Sequence, residues 1–221
     1  MLNPIEILDK IERLRNLDLR RKIFGARSHN YRLNSCLNEE TIKLVEDRHR
    51  IHLPEEYRRF LMEVGNGGAG PYYGLFKLGE QDNGMGFVSW EDGYLLGDPA
   101  IPFGYEDKWN LPDTFWSEGP YNKEWANEEE ADSAHEAWDA RMEELYWALS
   151  VMNGAIPICH CGCALRQWLV VTGSERGNVW GDDRADCQGV YPLIGHAGKH
   201  KTFSEWYTSW LDEAIGLLEE E

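Results

Sequence analysis

The stretch CHCGC at residues 159–163 holds the residue types in this chain that are best suited to metal or thiol chemistry. Cys159, Cys161 and Cys163 alternate around His160, and thiolate and imidazole groups are common zinc ligands. Structural zinc sites usually separate paired cysteines by two or more residues, whereas alternating cysteines on a strand only share one face. We therefore predict no metal site and no cofactor, and we expect buried thiols that pack as small apolar side chains.

Catalysis by a thiol would require a base that activates it. His160 neighbours two cysteines in sequence, but on a strand its side chain points to the opposite face. The stretch WGDDRAD contains Asp182 and Asp183, and acids are common in polar turns because they accept local hydrogen bonds. We predict that these two acids lie on the surface and that the protein is not an enzyme. A zinc- or thiol-dependent enzyme around Cys159–Cys163 stays open as an alternative.

The stretch GNGGAGPYYG, residues 65–74, raises the question of a phosphate-binding loop. The phosphate-binding pattern GxxxxGK[ST] requires a lysine and a hydroxyl that this stretch lacks. A dinucleotide-binding loop opens a helix after a strand, whereas this stretch follows a predicted helix. We therefore predict a structural turn in which Gly65 ends the helix in a left-handed conformation. Tyr72 and Tyr73 are expected on opposite sides of an extended segment.

The elements that would position these residues follow from apolar spacing and helix-start signals. Helices are predicted to begin near Asn3, Asn38, Pro54 and Thr202. Short strands or bends are predicted in YYGLFKL, GFVSW and GYLLGD, and four further strands in AIPICHCG, RQWLVVTG, GNVWG and GVYPLI. Helices first, strands in the middle and a closing helix form an α+β arrangement. No linker divides the chain, so residues 1–221 are predicted to form a single domain.

The net charge of the chain limits the classes of molecule that the protein is expected to bind. The formal net charge is −17. Residues 1–60 carry 13 Lys and Arg against 10 Asp and Glu, and the remainder carries 9 against 29. This negative field repels nucleic acid and anionic lipid, and it attracts basic proteins. No apolar run approaches the ~18 residues of a membrane span, and the first residues lack a signal core. We predict a cytoplasmic protein with no membrane or nucleic-acid partner; five cysteines, an odd count, agree with this.

The negative charge is densest at residues 118–144, which hold ten Asp and Glu against only Lys123 and Arg141. Aromatic anchors within a charged rim are typical of a protein interface. We predict a helix here whose surface docks a protein partner, with the contacting residues Trp125, Glu128, Glu129, Glu130 and Trp138. The alternative is a solvated outer face whose tryptophans, Trp125, Trp138 and Trp147, pack inward; helical spacing also places Leu145, Tyr146 and Leu149 on the side of Trp138.

The segment LPEEYRRFLMEVGNGGAGPYYGLFKL resembles the signature of the SUKH superfamily, in its Smi/Knr branch. In that branch a LPxxYxxFL helix precedes a GNGGxGPxYGL turn. The matching residues are Leu53, Pro54, Tyr57, Phe60, Leu61, Gly65, Asn66, Gly67, Gly68, Gly70, Pro71, Tyr73 and Gly74. A later stretch that ends in Gly-x-Val-Trp at Trp180, and a closing helix with Trp206, are also similar to the family. The resemblance spans about residues 40–214, with a predicted acidic helical insertion at 104–150.

The resemblance implies one α+β domain with a central, mostly antiparallel sheet flanked by helices. It also implies protein binding without catalysis. Bacterial members resemble immunity proteins that neutralise a toxin, and fungal relatives regulate cell-wall assembly. Nuclease and deaminase toxins are basic where they hold nucleic acid, so we expect a basic toxin domain as the partner and occlusion as the mechanism. A regulatory scaffold is the alternative, and Tyr72 and Tyr73 are a second candidate contact. The toxin's identity and the oligomeric state stay open.

Overall fold

A computed structural model describes residues 2–81, 84–87 and 96–220 of the protein. Its α-helices are α1 (Pro4–Leu17), α2 (Ala26–His29), α3 (Glu39–His49), α4 (Glu55–Glu63), α5 (Asp113–Ser117), α6 (Glu128–Leu145) and α7 (Phe203–Glu219). Its strands are β1 (Leu78–Gln81), β2 (Gly84–Phe87), β3 (Ala155–Gly162), β4 (Leu165–Val170), β5 (Val179–Asp183) and β6 (Gly189–Pro192). Much of GFVSW and GYLLGD lies outside the described residues.

A four-stranded antiparallel sheet forms the centre of the fold, with the strand order β3-β4-β5-β6. Side chains alternate between its two faces because successive residues of a strand point in opposite directions. Leu169 and Val179 enter one apolar cluster, whereas their neighbours Trp168 and Trp180 enter another. The α+β arrangement and the four predicted strands are therefore confirmed.

Helices α1, α3, α4 and α7 contribute to the cluster on the first face. Asn3, Asn38 and Thr202 cap three of these helices by accepting a backbone N–H, as their side chains favour. The rings of Phe60 and Phe203 lie at the centre, with centroids 5.3 Å apart. The predicted apolar faces of α4 and α7 therefore hold the helical layer on the sheet.

The segment 96–152 covers the second face of the sheet. Phe103 packs edge-on against Trp180, with centroids 4.9 Å apart. Trp109 pairs with Val190 and extends the sheet at its β6 edge. Residues 104–150, predicted as an insertion, thus contribute part of the core as well as helix α6. No helix in the described ranges is both long and apolar enough to cross a membrane.

The end of α4 differs from the sequence-based prediction. Gly65 does not take the left-handed conformation; Gly67 and Gly68 do, with φ of +72° and +102°. A side chain at Gly65 would approach the Leu33 Cβ and the Asn34 carbonyl oxygen to 2.9 Å. Glycine is therefore required at position 65 by close chain packing, and the predicted left-handed cap was wrong.

Candidate functional site

The glycine-rich loop folds as a structural turn between α4 and the sheet. Gly68 and Leu75 exchange two backbone hydrogen bonds of 2.9 and 2.8 Å. The buried Asn66 side chain holds Leu78 by donating to its carbonyl oxygen at 2.6 Å and accepting its N–H at 2.8 Å. A side chain at Gly68 would come within 2.4 Å of the Arg32 carbonyl oxygen. The glycines therefore allow two backbone segments to approach closely.

Most signature residues of the resemblance serve this same architecture. Tyr57, Phe60, Trp180 and Trp206 are buried, and Pro54 is the N-cap of α4. Three further members are glycines where a Cβ would meet atoms closer than 3 Å: Gly67, Gly70 and Gly74. Of the signature residues, Tyr73 is a large side chain that the fold leaves on the surface.

Tyr72 and Tyr73 lie in a turn, and the prediction of an extended segment was wrong. Gly74 donates its N–H to the Pro71 carbonyl oxygen at 2.9 Å, and Tyr72 has a φ of +51°. The two rings contact Phe24, with centroid distances of 6.2 Å for Tyr72 and 5.3 Å for Tyr73. The exposed fractions are 59% for Phe24, 39% for Tyr72 and 42% for Tyr73. We call these three side chains the aromatic ridge.

The aromatic ridge separates two clefts. The first cleft, of about 700 Å³, contains Arg32, Tyr73, Lys77 and His160. The second cleft, of about 490 Å³, lies between Phe24, Tyr72 and α7. Its apolar lining includes Ile23, Leu193, Ile194, Trp210 and Leu217. Exposed aromatic and apolar side chains that cluster in this way are enriched at protein-docking surfaces.

Helix α6 forms a second surface on the other side of the sheet. Of its 18 residues only Trp138 is buried. The helix carries eight Asp and Glu side chains, and none of them forms an ion pair with any described residue. Arg141 of the helix pairs instead with Glu118, at 3.1 Å, and this ion pair joins the helix to the turn that precedes it. Helix α6 therefore presents an acidic face that no residue in the described ranges neutralises through an ion pair.

The two tryptophans predicted to anchor a partner at this acidic face differ in their exposure. Trp125 is 36% exposed, whereas Trp138 is only 6% exposed. The Trp138 ring packs against Phe115 at 4.5 Å, and the Arg141 guanidinium lies over it at 5.5 Å. Trp138 thus supports α6 from inside the protein. The exposed surface consists of Trp125 and the three glutamates Glu128, Glu129 and Glu130. Of the side chains predicted on the side of Trp138, Tyr146 is buried, whereas Leu145 and Leu149 are exposed.

The cysteines do not share one environment. Cys159 is buried, and its thiol donates to the Pro71 carbonyl oxygen at 3.1 Å. Burial, and then the adjacent Cys161, raises the pKa of the Cys159 thiol, which disfavours the reactive thiolate. Cys163 is exposed and Cys161 is half-buried, so the expectation of buried thiols was wrong for Cys163. The strand alternation is lost because the register of β3 shifts between His160 and Gly162.

The metal-ligating side chains of the described residues do not gather at one point. No group of three or more His, Cys, Asp and Glu side chains in those ranges is arranged to hold a metal ion. His200 instead contacts Glu175 at 2.6 Å, and His160 packs beside the Tyr73 ring at 5.6 Å. These histidines belong to local structural contacts.

Asp182 contradicts the prediction that both acids of WGDDRAD are surface residues. Asp182 is buried and forms a bidentate ion pair with the buried Arg184. Arg184 also donates to the Tyr146 carbonyl oxygen at 2.8 Å and lies over the Trp147 ring at 5.2 Å. Arg184, the partner of Asp182, is only two residues away in sequence. The turn after β5 folds Arg184 back beneath the aromatic side chains.

Comparison of the chain with protein-family models, with curated proteins and with solved structures found no match. Two surfaces of the described structure remain as candidate contacts. One is the acidic face of α6, and the other is the aromatic ridge between its two clefts.

Proposed function

We propose that the protein is a non-catalytic binding module that neutralises a basic effector toxin, of the nuclease or deaminase type, by covering its surface. The observation that carries this proposal is the acidic face of α6. Its eight carboxylates have no cationic partner within the described structure. A basic protein would supply the missing charge.

The electrostatics of α6 support a charged partner. Pairs such as Glu128 with Asp132, and Asp139 with Glu143, are four residues apart and face the same side of the helix. Like charges at this spacing destabilise a helix by a few tenths of a kcal/mol per pair. A bound basic surface would convert this repulsion into attraction, and long-range attraction also raises the rate of association.

Exposed rings beside the acidic face supply apolar contact area. Trp125 lies just before α6, and Tyr121 is exposed and packs edge-on against His135 of the helix at 5.1 Å. Aromatic side chains surrounded by charge are the usual anchors of protein interfaces. The surface therefore combines charge for the encounter with rings for the stable complex.

The SUKH resemblance suggests the biological role, that of an immunity protein. A nuclease or deaminase toxin holds nucleic acid on a basic surface. An acidic protein that occupies this surface excludes the substrate by competition, with no chemical step of its own. The same binding mode would also suit a regulatory scaffold, which stays the alternative.

The direct test examines the neighbouring genes for a basic nuclease or deaminase domain and assays that domain with its nucleic-acid substrate. We expect inhibition that is complete at one equivalent and reversible on dilution. Stoichiometric inhibition separates occlusion from an enzyme, which would inactivate many toxin molecules per chain. A triple variant Glu128→Lys, Glu129→Lys, Glu130→Lys should lose inhibition while it stays folded, with a small loss of stability because lysine opposes the dipole at the first turn of α6. Equal inhibition by parent and variant would contradict the proposal.

A further inference from the structure

A basic segment leads into the aromatic ridge. Between Leu19 and Asn38 the chain has five Lys and Arg residues and no Asp or Glu, although its formal net charge is −17. Phe24 lies within this segment and reaches the Tyr73 ring at 5.3 Å. The exposed aromatic ridge therefore stands beside a basic stretch of the sequence.

The lining of the two clefts has the same charge pattern. The first cleft contains Arg32 and Lys77, and no carboxylate is among its described lining residues. The second cleft contains Lys22 and Lys201 against the single carboxylate of Glu213. Cations thus lie on both sides of the aromatic ridge, the reverse of the pattern on α6.

We propose that the aromatic ridge is a second docking surface and that its occupant is an acidic, apolar segment of a partner protein. This inference goes beyond the neutralisation of a basic toxin and does not depend on it. The partner's carboxylates would pair with Arg32 and Lys77. Its apolar side chains would fill the second cleft beside Phe24 and Tyr72, where Ile194 and Leu217 are also exposed.

The ridge is built to be rigid before binding. Tyr72 is held at a φ of +51°, a conformation that bulky residues rarely adopt and that is concentrated at functional sites. Gly25 makes room for it, since a Cβ there would lie 1.6 Å from the Tyr72 carbonyl oxygen. The Cys159 thiol holds the preceding Pro71 carbonyl oxygen. A surface fixed in advance loses less conformational entropy when a partner binds.

A protein segment fits this surface better than nucleic acid does. A nucleic acid extends over tens of ångströms and would experience the negative field of the whole chain. A short acidic peptide responds mainly to charges within a screening length of about 8–10 Å. The second cleft is lined mostly by apolar side chains, which a phosphodiester backbone does not require but a peptide does.

The test is selection of a random 16-residue peptide display library on the full-length protein. We expect enriched peptides that combine Asp and Glu with aromatic or aliphatic residues. One enriched peptide, synthesised with a fluorophore, would then be measured by anisotropy. Phe24→Ser and Tyr73→Ser should each weaken its binding about tenfold, and Arg32→Glu with Lys77→Glu should abolish it. The matched control Tyr121→Ser removes an exposed ring beside α6 and should have no effect.

Three results would overturn the proposal. The first is an enriched sequence that is basic, or no enriched sequence at all. The second is a single-stranded DNA 16-mer that binds as tightly as the peptide and loses affinity in Phe24→Ser, which would assign the surface to nucleic acid. The third is self-association in analytical ultracentrifugation that Phe24→Ser removes, which would assign the surface to a second copy of the chain. The triple lysine variant of α6 should bind the peptide normally, so failure here leaves the toxin proposal separately testable.

Discussion

Arg184 donates two parallel hydrogen bonds to Asp182, from Nε to Oδ1 at 2.8 Å and from Nη2 to Oδ2 at 2.7 Å. Both side chains are buried. Burial removes water from both charges, and bidentate geometry compensates for that loss only while the two partners are present. The pair therefore makes the turn after β5 dependent on each partner.

We expect Asp182→Ala to lower the free energy of unfolding by about 3–5 kcal/mol, because it leaves the Arg184 charge buried without a partner. Urea denaturation would measure this. Asp186→Ala, in the same turn but exposed, should change stability by less than about 0.5 kcal/mol. The double variant Asp182→Leu, Arg184→Met should be more stable than Asp182→Ala. If Asp182→Ala matched the parent, the pair would have no structural role.

The left-handed glycines of the turn should tolerate no side chain. We expect Gly68→Ala, at a φ of +102° and 2.4 Å from a carbonyl oxygen, to lower stability by about 2 kcal/mol or more. Gly104→Ala is the matched control, since a Cβ there meets no atom within 4 Å. Thermal unfolding would compare the two variants. In the same assay nucleotide at millimolar concentration should give no protection; protection would indicate a nucleotide site.

His29 should make stability depend on pH. Burial, and then the nearby Arg21 charge, lowers the pKa of His29 from 6.5 to about 4. Its Nδ1 accepts the Tyr31 N–H at 3.0 Å, while Nε2 completes no hydrogen bond. The unfolded chain therefore binds a proton between pH 6.5 and 4 that the folded chain does not, and stability falls as pH falls through this window. The full loss from this group is about 3 kcal/mol.

The measurement is urea denaturation from pH 7 to pH 4 on the parent and on His29→Asn, whose side-chain oxygen can still accept the Tyr31 N–H. The parent should lose more stability than the variant across this range. Parallel pH profiles would mean that His29 titrates normally in the folded protein.

The acidic face of α6 should act mainly on association and its exposed ring on dissociation. With the triple lysine variant of Glu128, Glu129 and Glu130, association with a basic toxin should slow and its salt dependence should flatten. Trp125→Ala should speed dissociation by an amount worth ~2 kcal/mol, with little change in the salt slope. Surface-binding kinetics at several salt concentrations would separate these effects. Trp138→Ala should act through folding, because its ring is buried. Unchanged kinetics in the first two variants would make α6 an ordinary solvated helix.

The cysteines should differ in reactivity. Cys36, Cys163 and Cys187 are exposed and should react rapidly with a thiol reagent. Cys159 should react only on unfolding, because its thiol is buried and its pKa is raised.

Protein purified without a histidine tag should contain well under one zinc per chain. One equivalent of zinc that is lost in Cys161→Ser or Cys163→Ser would revive the metal-enzyme alternative.

Prediction from sequence succeeded where neighbouring residues decide the outcome. Asn38 and Thr202 marked helix starts because each side chain caps a backbone N–H three residues later. The apolar spacing of Phe60 with Tyr57 and Leu61 gave the buried face of α4 correctly. Local reasoning failed at Gly65, where the constraint comes from Asn34 in a distant segment. It also failed at Asp182, because the burial of this side chain depends on distant residues that pack over the turn after β5.

The sequence by itself determined the longer helices α1, α3, α4, α6 and α7, the strands β3 to β6 and the excess of acid at residues 118–144, because periodicity, capping and charge are local or additive properties. The tertiary structure decided which of these residues share a surface. It buried Trp138 and left Trp125 outside, and it brought Phe24 onto Tyr73. Such contacts join positions far apart in the chain, and they form only when the helices pack on the sheet and exclude water from the space between them.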